Sequence, residues 1–380
     1  MSGPSAVSLA EPGLGGRPRC NPAPRRRGPR PLALHLALAA ATRDPPACLP
    51  TRFLAGLQAY WRHPYRRRLA EPPTVWSEGS TRLLDYGPPG GAPLLAVPSL
   101  INRAYILDLA PARSLLRYLA GHGLRPLLVD WGVPGPRERR TTLDDYVTGR
   151  LTTALREAQR VGGAPPVLLG YCMGGLLATA LAARQPHRVA GLALLATPWD
   201  FHADRLTPAL RALLAAAADA GGLLGGLPVE LVQCLFACID PLAVARKFAR
   251  FGELAPDSPE ALGFVAIEDW LNDGVPLGAA VAHECLLGWY GENRPARGRW
   301  QIGGQPVEPE RIALPSLLAI PTRDRIVPPA SAAALAARLP RASVLRPQGG
   351  HIGMVVGGDA RQQLWTPLAA WLQRIAAMQK

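Results

Sequence analysis

Lysine is almost absent from this chain of 380 residues: the 42 basic residues include only two lysines, Lys247 and Lys380. Acidic residues are also few, 28 in all, so the formal net charge is +14. A charge of that sign attracts anionic partners such as a phosphate-bearing substrate, a membrane surface or nucleic acid. The sequence has no nucleic-acid-binding motif and no platform of interleaved basic and aromatic residues. We therefore do not expect nucleic acid as a partner.

Cysteine is scarce as well, and the six cysteines are scattered: Cys20, Cys48, Cys172, Cys234, Cys238 and Cys285. Such spacing does not form the disulfide framework of a secreted protein, which favours a cytoplasmic location. The pair in "CLFAC" resembles half of a metal site, but its neighbours are apolar and no further ligand is near. We expect two thiols in a helix core and no metal. No apolar run reaches the roughly 18 residues of a membrane span.

Residues 1–45 are predicted to form an N-terminal arm that is disordered or loosely packed. Proline, glycine and arginine dominate residues 1–30 and nothing in them is periodic. The basic run followed by the apolar stretch Pro31 to Ala41 has the pattern of a signal peptide. The segment before it is too long for an ordinary charged region. A short helix packed on the domain is therefore the favoured interpretation of this stretch.

Short apolar segments alternate with longer segments of helical spacing from Val75 to Pro198. The stretches "PLLAV", "LRPLLVD", "PVLLG" and "VAGLALL" predict buried strands, and "VWSEGSTRLLDYG" predicts a hairpin-like pair. This alternation predicts an α/β fold with a mostly parallel, doubly wound sheet.

The rhythm changes at about Asp200, where helical patterns interrupted by glycines begin. We interpret residues 201–310 as a mainly helical cap inserted into the fold. The core is then formed by residues 46–200 and 311–380.

Cys172 lies in "GYCMG", between a strand pattern and an Ala/Leu-rich helical pattern. The spacing fits G-x-nucleophile-x-G, the nucleophile elbow of the α/β-hydrolase fold, with cysteine as the nucleophile. Gly170 and Gly174 suit the crowded positions on either side. The Met173 N–H begins a helix and is placed to donate to an oxyanion. The alternative is a buried structural cysteine at a strand end.

In this fold the acid and the histidine follow the nucleophile in that chain order. Asp324 comes just after the buried strand in "LLAIPTRD", and His351 follows the next strand, in "SVLRPQGGH". The order and spacing predict a triad of Cys172, Asp324 and His351. Asp130 also ends a strand, but it precedes the nucleophile, so we expect it to form hydrogen bonds at the top of the sheet. The competing histidines are His63, His122, His187, His202 and His283.

Taken together, these segments resemble the polyhydroxyalkanoate synthase family. "VPSLINRAYILDL" is similar to the loop after its third core strand, "GYCMGG" to its cysteine lipase box, and "DRIVPP" and "GGHIGM" to its acid and histidine loops. "LLVDWG" followed by "TTLDDYV" fits a further segment. "RGRWQIGGQPVEPERI" resembles the short class, whose catalytic subunit works with a companion subunit. The likeness covers roughly residues 75–375. It departs at Arg325, where the family often has histidine, and in the N-terminal 50 residues.

The resemblance implies an acyltransferase that polymerises 3-hydroxyacyl-CoA and releases CoA. His351 would take the proton from Cys172, and the thiolate would attack the thioester. The Met173 N–H and one N–H near Ser99 or Leu100 would hold the oxyanion. A hydroxyl of substrate or polyester chain would then attack the acyl-enzyme, with His351 or Asp324 assisting. No cofactor is implied, because CoA is part of the substrate. The implied partners are the growing polyester, a granule surface, and a companion subunit or second copy.

Two other functions fit the same residues. A Cys-dependent hydrolase (a thioesterase, an esterase or a polyhydroxyalkanoate depolymerase) would have the same fold and triad and would differ in water access and acceptor. A non-catalytic, granule-associated homologue would bind polymer through its cap, but the complete triad argues against it.

Overall fold

The computed structural model describes residue 26 and residues 28–42, 49–203 and 207–379. Eight strands form its main sheet: β1 Thr74–Glu78, β2 Thr81–Asp85, β3 Ala92–Val97, β4 Leu124–Asp130, β5 Val167–Tyr171, β6 Gly191–Leu195, β7 Ser316–Ala319 and β8 Ala342–Leu345. Their spatial order is β1-β2-β4-β3-β5-β6-β7-β8. β2 is antiparallel to both neighbours, and every other pair in this sheet is parallel. The predicted mostly parallel sheet and hairpin-like pair are confirmed.

Thirteen α-helices are present in the described residues. They are α1 Leu32–Ala40, α2 Leu49–Arg62, α3 Leu115–Ala120, α4 Thr152–Gly162, α5 Met173–Arg184, α6 Pro208–Leu223, α7 Val229–Ala237, α8 Ala243–Phe251, α9 Pro259–Asn272, α10 Ala279–His283, α11 Pro329–Ala336, α12 Gly353–Val356 and α13 Thr366–Ala377. Single π-helical segments span Asp145–Leu151, Glu284–Gly291 and Arg361–Trp365. Short two-stranded ladders join Asp108–Ala110 to Arg113–Ser114, Gly226–Leu227 to Leu277–Gly278, and Gln301–Ile302 to Gln305–Pro306.

The sheet is covered on both faces, which explains why its central strands are apolar almost throughout. Side chains alternate along β3: Leu95 and Val97 enter a first hydrophobic cluster with α4 and α5. Leu94 and Ala96 enter a second cluster, on the other face, with α3 and α13. Because the parallel strands all run in one direction, their carboxyl ends meet at one edge of the sheet.

The chain between β6 and β7 carries α6 to α10 and adds no strand to the main sheet. Helices α8 and α9 of this insertion share a third hydrophobic cluster with the N-terminal helices α1 and α2. Phe248 of α8 packs edge-on against Phe53 and Tyr60 of α2, with ring centroids 5.9 and 5.4 Å apart. Helix α2 falls in the segment 46–200 that the sequence analysis grouped with the core, yet its buried side chains contact the insertion.

The apolar stretch between Pro31 and Ala41 contains α1, and Ala39 within it is fully buried in the third cluster. Arg26 precedes this helix, and its Nε donates to Asp269 Oδ1 at 2.8 Å. The remainder of the predicted arm, residues 1–25, 27 and 43–45, lies outside the described residues.

Candidate active site

Cys172 forms the sharp turn between β5 and α5, with φ 55° and ψ −127°. A positive φ is costly for a residue with a side chain, so the surrounding structure has to impose it. Glycine is required on both sides of the turn. A Cβ at Gly170 would lie 2.4 Å from the Gly175 Cα, and one at Gly174 would lie 2.1 Å from the Val97 carbonyl oxygen.

We expect Gly174→Ala to destabilise the fold by about 2–3 kcal/mol, because the added methyl group meets backbone that cannot move aside. Urea unfolding of the purified variant measures this. Gly149→Ala is the matched control, since a Cβ there meets nothing within 4 Å. Equal midpoints for Gly174→Ala and wild type would contradict the packing argument.

Asp324 and His351 form a buried pair at the same edge of the sheet. Asp324 follows β7, and its Oδ1 accepts the backbone N–H groups of Ile326 at 2.8 Å and Val327 at 2.9 Å. Its Oδ2 lies 2.7 Å from His351 Nδ1, with the two side chains 0% and 7% exposed. The carboxylate therefore holds a proton on Nδ1, and Nε2 is the ring nitrogen left to exchange a proton.

The electrostatics of His351 link it to the cysteine. Burial lowers the pKa of His351, but the neighbouring Cys172 sulfur and the Asp324 carboxylate outweigh this and raise it to about 10. The Tyr171 ring lies against the imidazole with centroids 5.2 Å apart, and its hydroxyl donates to the His351 carbonyl at 3.3 Å. Tyr171, the residue directly before Cys172, therefore contacts both the ring and the backbone of His351. The motif offers no signal for this, because x in G-x-C-x-G is unrestricted.

A cavity of about 780 Å³ opens at this edge, and both Cys172 and His351 line it. The volume is typical of sites for small organic ligands. The insertion, the chain between β6 and β7, provides much of the cavity wall. This wall is mostly apolar and also contains cationic side chains. Representative lining residues from the insertion are Phe236, Val244, Lys247, Trp270 and Leu271. None of these could be identified as site residues from the sequence, because they reach the cavity through tertiary packing alone.

The two predicted oxyanion donors, the backbone N–H groups of Met173 and Leu100, have different surroundings. Met173 is the first residue of α5, so its N–H has no acceptor within the helix. The Leu100 side chain is buried in the first cluster and does not line the cavity, whereas Ser99 and Ile101 do. The Ile101 N–H already donates to Ser99 Oγ at 3.2 Å, and its carbonyl accepts the Val275 N–H at 2.9 Å. The loop is therefore joined to the insertion, and Leu100 as a backbone donor stays a prediction.

Asp130 and several competing histidines are occupied elsewhere. Asp130 pairs with Arg82 at 2.8 Å and accepts the Gly132 N–H at 3.1 Å, as expected for a residue at the top of the sheet. Ring nitrogens of His63, His122 and His202 contact backbone carbonyls of Pro256, Tyr118 and Tyr290 at 2.7, 2.7 and 2.8 Å. Asp324 and His351 are thus the acid and histidine that the fold brings together.

Cys234 lies on α7 and is partly buried, whereas Cys238 directly follows that helix and is exposed, so the prediction of two thiols in a helix core is wrong for Cys238. The Cys238 thiol donates to the Cys234 carbonyl at 3.3 Å. Within the described part of the chain, no group of three or more His, Cys, Asp or Glu side chains could hold a metal ion. Cys20 and Cys48 lie outside the described residues, and the absence of a cofactor stays a prediction. Across the described residues, no helix combines the length and apolarity needed to cross a membrane.

Residues 93–220 match the family model of the alpha/beta hydrolase fold. Among solved structures, the monoacylglycerol lipase of Paleococcus ferrophilus is similar over 78% of this chain and 99% of its own, with a TM-score of 0.51 and 17% identity. The enol-lactonase of Burkholderia xenovorans is similar over 79% of this chain and 100% of its own, with a TM-score of 0.50 and 20% identity. These matches confirm the predicted α/β-hydrolase fold.

Sequence relatives are more specific. The chain is 32% identical over 313 residues to the poly(3-hydroxyalkanoate) polymerase subunit PhaC of Allochromatium vinosum, covering 78% of this chain and 87% of that protein. It is 31% identical over 323 residues to the protein of the same name from Haloferax mediterranei, again over 78% of this chain. It spans 62% of the length of that relative.

Proposed function

The chain belongs to the poly(3-hydroxyalkanoate) polymerase family, and on that premise we propose that it polymerises 3-hydroxyacyl-CoA through an acyl-enzyme on Cys172. The observation that carries the proposal is the position of Cys172 at the elbow, in one cavity with His351, whose imidazole is held by Asp324. A cysteine nucleophile suits a thioester substrate, since exchange of one thioester for another is nearly balanced in energy.

In the first half-reaction, His351 Nε2 takes the proton of the Cys172 thiol. Because the pKa of His351 is raised to about 10, the pair rests as thiolate and imidazolium at neutral pH before the thioester binds. The thiolate attacks the thioester carbonyl, and the Met173 N–H donates to the developing oxyanion. The carbon–sulfur bond to CoA then breaks. CoA leaves with the proton from His351, and the acyl group remains on Cys172.

In the second half-reaction, the hydroxyl of another substrate or of the chain end attacks the Cys172 thioester. His351 takes the hydroxyl proton and returns it to the cysteine sulfur as the new ester forms. Asp324 holds the imidazole in place and stabilises the imidazolium. Water has to be excluded because it would hydrolyse the acyl-enzyme. The apolar wall that the insertion provides keeps water from Cys172. A companion subunit or a second copy, and a granule surface, remain proposed partners.

Incubation with 3-hydroxybutyryl-CoA tests the reaction class. We expect free CoA to appear together with polyester, which is recovered by solvent extraction and identified by mass spectrometry. Longer acyl chains and the companion subunit of a short-class synthase are included as further arms. If free 3-hydroxybutyrate forms in an amount equal to the released CoA and no polyester forms, the protein is a thioesterase of the same fold and not a polymerase. If no arm releases CoA, the proposal fails.

A further inference from the structure

Lys247 is the one lysine within the described residues, in a chain that otherwise uses arginine. It lies on α8, and its Nζ is 2.6 Å from Glu268 Oε1 on α9. Glu268 is 3% exposed, and burial raises the pKa of its carboxyl group while Lys247 opposes that rise. A buried carboxylate needs such a partner, because an unpaired buried charge is strongly unfavourable.

The lysine side chain remains 27% exposed and lines the same cavity as Cys172 and His351. An ammonium group has three N–H donors, and Glu268 occupies one of them. The Phe248 ring lies 5.8 Å from Nζ. No further side chain or backbone acceptor bonds Nζ within the part of the chain that the structure describes. Lys247 therefore offers hydrogen-bond donors to whatever fills the cavity.

Lys247 and Cys172 border different parts of the molecule. Cys172 packs against the first and second clusters, on the sheet. Phe248, the residue after Lys247, lies in the third cluster, which joins the insertion to the N-terminal helices. A ligand whose reacting carbonyl is at Cys172 and that extends to the cavity wall formed by the insertion therefore meets Lys247.

The N-terminal segment forms the wall beside Lys247, since Arg30 and His35 line the cavity there. The Arg30 N–H donates to Asn272 Oδ1 at 3.1 Å, and His35 Nε2 lies 3.1 Å from the Arg30 carbonyl. Arg26 anchors the segment, since its guanidinium is 5% exposed and pairs with Asp269.

The Lys247–Glu268 pair carries no net charge, although Arg30, Arg246 and Arg250 also line the cavity. Burial lowers the pKa of His35, and the nearby charge of Lys247 lowers it further, so the imidazole stays neutral. Lys247 and Glu268 cancel one another. A neutral hydrogen-bond acceptor therefore fits Lys247, whereas an anionic group would pair with the arginines of the same cavity.

We propose that Lys247 is a binding residue for the growing chain and donates a hydrogen bond to an ester carbonyl of the polyester held in the cavity. The inference rests on the proposed function, because polymerisation is what places ester carbonyls beyond the cysteine. Every repeat of such a chain carries one neutral carbonyl, so successive chain lengths present the same acceptor to Lys247.

Binding to the Cys172→Ala protein tests this without turnover. The probe is a short oligomer of 3-hydroxybutyrate capped as its methyl ester, so that no carboxylate can pair with the lysine. Calorimetry measures the affinity of the Cys172→Ala protein, the background, for this oligomer. It is compared with the affinity of the same protein carrying Lys247→Met and Glu268→Gln together. Both residues are changed because removing only one would leave the other charge buried without a partner. The matched control replaces an exposed pair, Arg311→Met with Glu308→Gln.

We expect the cavity double variant to bind the capped oligomer about tenfold more weakly, the value of one hydrogen bond from a charged donor. The exposed control is expected to retain the affinity of the background protein. Unchanged affinity in the cavity variant, or no binding of the oligomer to the background protein, would overturn the inference. A tenfold loss for CoA alone would also overturn it and would assign Lys247 to phosphate binding. The proposed function is decided separately by polymer formation in the wild type.

Discussion

Cys172→Ala is expected to fold normally and to lower CoA release from 3-hydroxybutyryl-CoA by at least about 10⁴-fold, because the acyl acceptor of the first half-reaction is gone. Alanine keeps the Cβ at the elbow and removes only the sulfur, so the strained turn is retained. The measurement is the initial rate of thiol release, with circular dichroism to verify the fold.

Cys238→Ala is the matched control, since Cys238 is a free, exposed thiol at the end of α7. It is expected to keep the wild-type rate. Intact-mass spectrometry of the wild type during turnover should locate an acyl adduct on the peptide that contains Cys172. A Cys172→Ala protein that still releases CoA at a comparable rate would exclude the acyl-enzyme.

Asp324→Asn is expected to lower the rate of CoA release by about 10⁴-fold, because it reverses the imidazole tautomer. The asparagine oxygen can still accept the N–H groups of Ile326 and Val327, which keeps the loop folded. Its NH₂ group then faces His351 Nδ1, where a carboxylate oxygen now lies at 2.7 Å. With Nδ1 as the acceptor, the ring proton moves to Nε2, which can no longer take the proton of Cys172.

The pH–rate profile separates this role from a structural one. Burial lowers the pKa of His351, whereas Cys172 and Asp324 together raise it to about 10. The imidazolium is the form that gives its proton to CoA, and removing the carboxylate lowers its pKa. The residual activity should therefore be lost at lower pH than in the wild type, on the alkaline limb. Asp130→Asn, at the top of the sheet beside Arg82, is the control and should leave both rate and profile close to wild type. An alkaline limb at the same pH in Asp324→Asn would contradict the assignment.

The sequence predicted the architecture at the edge of the sheet because parallel strands align their carboxyl ends. Cys172, Asp324 and His351 each follow a strand of the parallel part of the sheet, so local patterns and strand direction were enough to predict all three at one edge. The glycines around Cys172 are explained by close backbone approach, which the motif encodes directly. These features depend on short stretches of chain and on strand direction.

The cavity wall could not be predicted in the same way. Trp270 and Lys247 belong to helices whose inward faces are fixed by contacts with distant segments, and helical spacing alone does not say which face meets the cavity. The loop Pro98–Asn102, predicted to supply an oxyanion donor, shows that local sequence does not tell which single residue faces the cavity. "PSLIN" gives no periodic signal that would separate Leu100, buried in the core, from Ile101, which lines the cavity. His35 is a still longer-range case, since it reaches the cavity from the N-terminal helix.

The packing of α2 on α8 means that a shortened chain without α2 would expose part of the insertion. A truncation that begins near residue 75, where the resemblance to the polymerases begins, would remove only the first residue of β1 from the main sheet. It would also keep all three residues of the predicted triad. It would also strip Phe53 and Tyr60 from Phe248, which is fully buried in the intact chain. The exposed aromatic surface would lie on the insertion, beside the wall of the cavity, and would favour self-association. Such a fragment would contain Cys172, Asp324 and His351 and would lack the helix that covers Phe248.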